Sequence, residues 1–284
     1  MAHVVFPHLK KLLVCTDGSP ASEGAVNAAI KLETLTAARV CLLGVINSPE
    51  IFGNIPEIPE VVAALQEQAL QRLEEYQKRA ASAGATLQTA VVTGVTVADA
   101  ILDEAAARKP DWLIMGRKGH TGLDRLLMGS VTKQVIGRSP CPVLVVPREA
   151  ALDFKKILIA HDGSVFGEAA WRQTILLAEK ADAEVIAVSV ARDKSRQADC
   201  QITLQHLEAS AERHGIRLQA FCLEGRPFEQ IIRAAGDERV DLLVLGSHGR
   251  SGLARLLMGS VAERVTATVN SPVLVVKLPK EAAA

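Results

Sequence analysis

An internal duplication constrains the fold of this chain more than any other feature of its sequence. The sixteen residues Gly116–Val131 return as Gly246–Val261, with eleven positions identical. Each copy follows a short apolar run, DWLIM in the first and DLLVL in the second. A short apolar run bounded by turn residues is typical of a buried strand. The sequence therefore predicts two related units, each with a strand that leads into a glycine-punctuated loop.

The two loops share the spacing Gly-x-x-Gly, nine residues, then Gly-Ser. The residues that carry this spacing are Gly116, Gly119, Gly129 and Ser130 in the first copy and Gly246, Gly249, Gly259 and Ser260 in the second. Each serine stands close to the N-cap of a predicted helix. Glycine lets backbone approach a ligand, and a helix N-terminus offers free N–H groups to an anion. The spacing predicts two phosphate-binding loops; the alternative is a surface loop whose glycines only permit turns.

Length and composition narrow the classes of function. The 284 residues predict two domains, 1–149 and 150–284. Lys plus Arg equals Asp plus Glu at 32 each. The chain therefore has no overall positive charge that would favour binding of nucleic acid. The chain has no apolar run of about 18 residues, so we expect no membrane span. The five cysteines are odd in number and without Cys-x-x-Cys spacing, which favours buried free thiols in a reducing cytoplasm.

Apolar strands alternate with helices along both halves, which is typical of a parallel sheet covered on both faces. We predict an α/β fold of two tandem doubly wound domains, each with a five-stranded parallel sheet of order 3-2-1-4-5. The closing strands, Pro142–Val146 and Pro272–Val276, are apolar edges and should pair with each other in a pseudo-two-fold arrangement. A further homodimer is compatible with the same pattern.

A second repeated element places a carboxylate beside each glycine loop. Asp17-Gly18-Ser19 follows the first strand and returns as Asp162-Gly163-Ser164, 145 residues later. In a sheet of this order, strands one and four are neighbours, and ligands bind at the point between them. Asp17 and Asp162 would then face a hydroxyl, an amine or a bound metal. The alternative is that each aspartate only caps its own turn.

These motifs resemble those of the universal stress protein family over nearly the whole chain. The resemblance is carried by Asp17 in VCTDGS, Asp162 in IAHDGS, the glycine spacing, and the closing strands CPVLVV and SPVLVV. It implies binding of ATP, or of ADP or AMP, often with a divalent metal such as Mg²⁺. It also implies that each aspartate and the backbone of Val45 or Val190 face adenine or ribose. The glycine loop and Gly-Ser would hold ribose and phosphates.

The two copies differ at positions that the resemblance places near the nucleotide. Arg117, Lys118 and His120 of the first loop are replaced by Ser247, His248 and Arg250 in the second. Thr132, a further expected nucleotide contact, becomes Ala262 and loses its hydroxyl. These differences bear on the relative affinity of the two sites, which the sequence leaves open, and not on the class of ligand.

The motifs lead to one hypothesis and one alternative. The hypothesis is a cytoplasmic adenine-nucleotide-binding stress-response protein that acts through its bound state, with slow or no hydrolysis. The alternative is an adenine-nucleotide-dependent enzyme, a hydrolase or transferase, on the same scaffold. The sequence contains no G-x-x-x-x-G-K-[ST] phosphate loop and no G-x-G-x-x-G after the first strand. No catalytic residue is predicted, and Arg125 and Arg255 are expected at a surface or a subunit contact.

Overall fold

The structure is a computed structural model that describes residues 6, 9–47, 59–119, 128–250 and 258–278. In the first half, each strand but the last leads into a helix. The elements are β1 (Lys11–Cys15), a 3₁₀ turn (Pro20–Ser22), α1 (Glu23–Thr36), β2 (Arg39–Asn47), α2 (Pro59–Ser82), β3 (Leu87–Gly94), α3 (Val97–Arg108), β4 (Trp112–Gly116), α4 (Ser130–Arg138) and β5 (Val143–Val146). Residues 48–58, between β2 and α2, lie outside the described residues.

The second half repeats this succession. Its elements are β6 (Lys156–Ala160), α5 (Val165–Ala181), β7 (Glu184–Ala191), a 3₁₀ turn (Lys194–Arg196), α6 (Gln197–Arg213), β8 (Arg217–Glu224), α7 (Pro227–Asp237), β9 (Leu242–Gly246), α8 (Ser260–Thr268) and β10 (Val273–Val276). α6 has 17 residues where α2 has 24, so part of the difference in length between the halves lies in this helix.

The described strands form one sheet of ten, in the order β3-β2-β1-β4-β5-β10-β9-β6-β7-β8. The predicted order 3-2-1-4-5 is confirmed in each half, and every pair within a half is parallel. The two sets of five strands join into this single sheet. The closing strands β5 and β10 pair antiparallel, with Leu144 opposite Leu274, because each would otherwise leave an apolar edge unpaired. The predicted contact between the closing strands is thereby confirmed.

Two apolar layers cover the sheet, one on each face. On β1, Leu12 and Val14 pack in the layer that contains α1, whereas Leu13 lies in the layer that contains α4. Successive side chains of a strand point to opposite faces, so a strand that is buried on both sides is apolar throughout. The helices that follow β1 and β4 therefore lie on opposite faces, which opens a crevice between the two strand ends.

The prediction that all five cysteines are free thiols is wrong for two of them. Cys200 on α6 and Cys222 on β8 form a disulfide, and their Cα atoms are 5.9 Å apart. Cys15, Cys41 and Cys141 are free. The two bonded residues are 22 positions apart and share no motif. Only the packing of α6 on β8 brings them together.

Candidate functional site

The aspartate and the glycine loop of each half meet at the carboxyl ends of two neighbouring strands. Cys15 of β1 lies opposite Met115 of β4, and Ala160 of β6 lies opposite Leu245 of β9. A Cβ atom on Gly119 would lie 2.8 Å from Asp17 Oδ2. The corresponding distance is 2.6 Å between a Cβ on Gly249 and Asp162 Oδ2. The structure thus brings together these sequence-predicted residues, and only glycine leaves room for the carboxylate.

Each aspartate also caps its own turn, as the alternative interpretation proposed. Asp17 Oδ1 accepts a hydrogen bond of 3.0 Å from Ser19 N, and Asp162 Oδ1 accepts one of 3.0 Å from Ser164 N. The glycine between them has φ of +72° in the first turn and +77° in the second. Turn capping occupies Oδ1 and leaves Oδ2 turned toward the glycine loop. Capping and a role at the crevice are therefore compatible.

The first glycine of each loop has a packing role. A Cβ on Gly116 would lie 2.7 Å from the carbonyl oxygen of Ala21, and one on Gly246 would lie 2.7 Å from Cβ of Phe166. Ala21 lies in the 3₁₀ turn before α1, and Phe166 lies in the first turn of α5. These two glycines are required because the strand end and that segment approach closely. Their backbone is one wall of the crevice.

The last glycine of each loop is a helix N-cap. Gly129 precedes α4 and Gly259 precedes α8, and neither helix has a side-chain cap. Ser130 and Ser260, predicted close to the N-cap, are the first helical residues and are exposed. The first N–H groups of a helix have no partner within the helix. Both helices therefore present N–H groups and the positive end of the helix dipole at this edge.

Thr132 is buried, and its hydroxyl donates a 3.0 Å hydrogen bond to the carbonyl oxygen of Gly116. Ala262 stands at the matching place in the second half and is also buried. The Thr132 hydroxyl thus links the end of β4 to the first turn of α4. Its one proton is engaged in that link.

The second half contains a cleft of about 720 Å³ at this position. All the site residues predicted for this half line it, namely Asp162, Val190, Gly246, Gly249, Gly259 and Ser260. The described cleft of the first half is about 170 Å³ and includes Asp17 and Val45. Arg72 of α2 lies over Gly18, with its Cδ 3.4 Å from where a Cβ would lie. In the second half the Arg250 guanidinium and Thr203 lie over Gly163, 2.6 Å and 3.0 Å from such a Cβ.

Charged side chains of the second cleft come from the glycine loop and from a segment that sequence motifs did not single out, which contains Arg196 and Asp199. Arg250 donates its backbone N–H to Asp162 Oδ2 at 2.9 Å, and its guanidinium donates to Asp199 Oδ2 at 3.0 Å. Arg196 also donates to Asp199 Oδ2, at 3.1 Å. These hydrogen bonds from Arg196 and Arg250 lower the pKa of the Asp199 carboxyl. The i, i+3 spacing of Arg196 and Asp199 was the only local signal for this cluster.

A buried histidine distinguishes the second turn from the first. His161 Nδ1 accepts a 3.0 Å hydrogen bond from Gly163 N, and His161 Nε2 lies 3.3 Å from Glu168 Oε1. Burial lowers the pKa of His161, against the opposing influence of Glu168. The ring packs on Gly167, where a Cβ would lie 3.1 Å from it. The accepting Nδ1 identifies the imidazole as neutral in this arrangement.

Two features are absent from the residues that the structure describes. None of their helices is long and apolar enough to cross a membrane. No group of three or more His, Cys, Asp or Glu side chains among them could hold a metal ion. His120, Arg125 and Arg255 lie outside the described residues.

The chain matches one protein family twice. The family model described as "Universal stress protein family" matches residues 8–147 and 153–277. A universal stress protein of Methanocaldococcus jannaschii is 35% identical over 144 residues, which cover 45% of this chain and 85% of that protein. A universal stress protein of Synechocystis sp. is 26% identical over 286 residues, covering 94% of this chain and 99% of that protein.

The fold has solved counterparts. The crystal structure of a universal stress protein from Archaeoglobus fulgidus superposes with a TM-score of 0.76 at 21% identity, covering 94% of this chain and 98% of that one. That likeness extends over both halves and concerns the fold alone. The two family matches, which span most of the sequence, identify the chain as a member of the universal stress protein family.

Proposed function

We propose that this protein is a cytoplasmic adenine-nucleotide-binding stress-response protein that acts through its nucleotide-bound state. The observation that supports the proposal best is the convergence, in both halves, of the aspartate and the glycine loop on one crevice. Each crevice lies where the helices of adjacent strands diverge, which is where open α/β sheets bind ligands. The halves would correspond to domains 1–149 and 150–284, each with one nucleotide.

The chemistry of the crevice suits a nucleotide. The uncapped N-termini of α4 and α8 offer N–H groups to phosphate. Val45 and Val190 lie near the carboxyl ends of the neighbouring strands β2 and β7, where backbone groups would meet adenine or ribose. Asp17 and Asp162 would accept hydrogen bonds from ribose hydroxyls or an adenine amine.

Mg²⁺ does not fit the described residues as a protein-held ion. Both carboxylate oxygens of Asp162 already accept backbone hydrogen bonds, from Ser164 N and Arg250 N. Mg²⁺ requires several oxygen ligands in near-octahedral geometry. A bound Mg²⁺ would therefore be carried by the nucleotide phosphates, and we assign no protein ligand to it.

The second half is expected to bind the nucleotide more tightly than the first. Its described cleft is lined by the aspartate and the glycine loop together, whereas the described cleft of the first half includes Asp17 but no residue of its glycine loop. Arg192, Arg196 and Arg250 line it, and guanidinium groups recognise phosphate well.

Calorimetric titration of nucleotide-stripped protein with ATP tests this function. We expect two sites per chain, the tighter one lost in Gly249→Val and the weaker one lost in Gly119→Val. A side chain at either position would collide with the aspartate and occupy the space of a phosphate. Gly236→Val is the matched control, because a Cβ there has no atom within 4 Å.

Two outcomes would contradict the proposal. If the folded wild-type protein does not bind ATP, the proposed nucleotide-binding function is wrong. Repurified protein that hydrolyses tens of ATP per second, and loses this turnover in Gly249→Val, would favour the enzyme alternative. Such a rate is typical of ordinary enzymes, whereas we expect far less than about one per second.

A further inference from the structure

The disulfide lies in the wall of the second cleft. Cys200 is 4% exposed, lies near the start of α6 and lines the cleft. Cys222 lies on β8, an edge strand of the sheet, opposite Ser189 of β7. The bond therefore ties the first turn of α6 to the edge of the sheet, one strand away from Val190.

The residue before Cys200 links this turn to the glycine loop. Asp199 accepts a hydrogen bond from the Arg250 guanidinium, and Arg250 N donates to Asp162 Oδ2. One short path thus runs from the disulfide through Asp199 and Arg250 to the aspartate of the crevice. Asp199 and Arg250 are both partly exposed, and an exposed ion pair by itself contributes little to stability. The covalent bond is the stronger restraint on this wall.

The first half has the same architecture without the bond. Gly84 and Gly215, which both have positive φ and follow α2 and α6, lie 131 residues apart. The same spacing pairs Cys200 with Ala69, which lines the first cleft, and Cys222 with Val91 on β3. A chain can therefore build this wall with alanine and valine. The two cysteines are not needed for the fold.

The other three cysteines are free thiols. Cys15 and Cys41 are buried, and burial raises the pKa of both thiols. Burial likewise raises the pKa of Cys141. The thiolate is the reactive form, so these residues stay thiols near neutral pH. Disulfides in cytosolic proteins are usually catalytic or redox-sensing.

We propose that Cys200 and Cys222 are a reversible redox pair. Their disulfide orders the first turn of α6, and through this turn it raises the ligand affinity of the second cleft. The affinity part of this inference rests on the proposed nucleotide site. In oxidation, one cysteine thiolate attacks a small disulfide such as oxidised glutathione, forming a mixed disulfide and releasing one thiolate. The second cysteine then attacks the protein-bound sulfur and releases the other. The protein loses two electrons and two protons, which the small disulfide gains as two thiols.

The pair itself is tested on the full chain in buffers of reduced and oxidised glutathione. Alkylation under denaturing conditions followed by mass spectrometry counts the thiols at each buffer ratio. We expect two thiols to disappear together as the buffer becomes oxidising, at Cys200 and Cys222, while the other three remain. A chain that keeps five thiols in every buffer would overturn the proposal.

The coupling is tested by hydrogen exchange and ATP titration of the oxidised and reduced forms. We expect faster exchange over residues 197–203 after reduction, with no change over the matching part of α2. We expect the second site to bind ATP at least about five-fold more weakly in the reduced form than in the oxidised form. A five-fold change is the low end of typical coupling between two sites. Cys200→Ala with Cys222→Val reproduces the first-half pair and should remove both responses, whereas Cys141→Ser should keep them.

The possible failures can be told apart. If ATP binds in neither state, the proposed function has failed. Hydrogen exchange over residues 197–203 then tests by itself whether the disulfide orders the first turn of α6. If ATP binds equally in both states and α6 exchanges equally, the redox proposal is wrong and the nucleotide site stands.

Discussion

Single residues explain how two related turns are built from different side chains. In the first half, Thr16 Oγ1 lies 2.7 Å from Ser22 Oγ, so two small hydroxyl residues bridge the turn to the start of α1. In the second half, His161 takes the place of Thr16 and Gly167 the place of Ser22. The larger ring is accommodated because glycine removes the Cβ it would touch. The larger side chain at the first position of the second half is thus compensated by the smaller residue at the second position.

This exchange predicts a pH dependence that only the second half has. Burial lowers the pKa of His161 in the folded protein below its usual value near 6.5. The unfolded chain then binds more protons below about pH 6.5, so the free energy of unfolding falls as pH drops through that value. Above it the contribution of neutral His161 is fully present. Urea unfolding between pH 8 and pH 5 measures the effect.

The groups around His161 define the control for that experiment. Glu168, Asp162 and His206 are the titratable side chains that influence it. His161→Thr with Gly167→Ser rebuilds the first-half arrangement and should lose part of the acid sensitivity. His206→Gln, at an exposed position, should retain most of it. Equal acid sensitivity in the wild type and the double variant would refute the assignment to His161.

At the scale of elements, the two halves start their first helix differently. Ser164 caps α5, because its hydroxyl accepts a 3.1 Å hydrogen bond from Gly167 N. Ser19 occupies the matching position before a 3₁₀ turn that begins with Pro20. Its hydroxyl is buried and, among the described residues, has no hydrogen-bond partner. The same serine is therefore a cap in one half only.

We expect Ser164→Ala to lower the free energy of unfolding by about 1 kcal/mol, the usual contribution of an N-cap. Ser19→Ala should have a smaller effect or stabilise the protein, because it removes a buried hydroxyl without a partner. Chemical denaturation of both variants provides the comparison. Equal destabilisation by the two substitutions would argue against the capping difference.

At the scale of the whole molecule, the pairing of β5 with β10 makes one sheet out of two halves. Val143, Leu144 and Val145 are fully buried, and Val273 to Val276 are nearly so. A first half cut away at the proposed boundary would expose the backbone groups of β5. Exposed edges of this kind tend to pair with another chain.

We therefore expect residues 1–149 expressed alone to fold and to form a dimer through β5, with one copy in the place of the second half. Light scattering after size exclusion measures the mass. A folded fragment that is monomeric would contradict the edge argument, and a fragment that fails to fold would contradict the boundary.

The sequence by itself determined much of this protein. The alternation of apolar strands and helices predicted the order 3-2-1-4-5, and the repeated Gly-x-x-Gly and Gly-Ser spacing located both crevices. These signals are readable because strand periodicity and turn chemistry depend on residues that are close in sequence. Asp17 and Gly119, 102 positions apart, could be paired only because the predicted sheet order makes β1 and β4 neighbours.

Only the tertiary structure decided the rest. It gave β5 and β10 their antiparallel register, assigned Gly116 and Gly246 to packing, linked Cys200 to Cys222, and placed Asp199 beside Arg250. These outcomes depend on how elements that are distant in sequence lie relative to one another in space. That relation is set by the packing of whole elements on the sheet, to which many distant residues contribute a little each, so no short motif in the sequence encodes it.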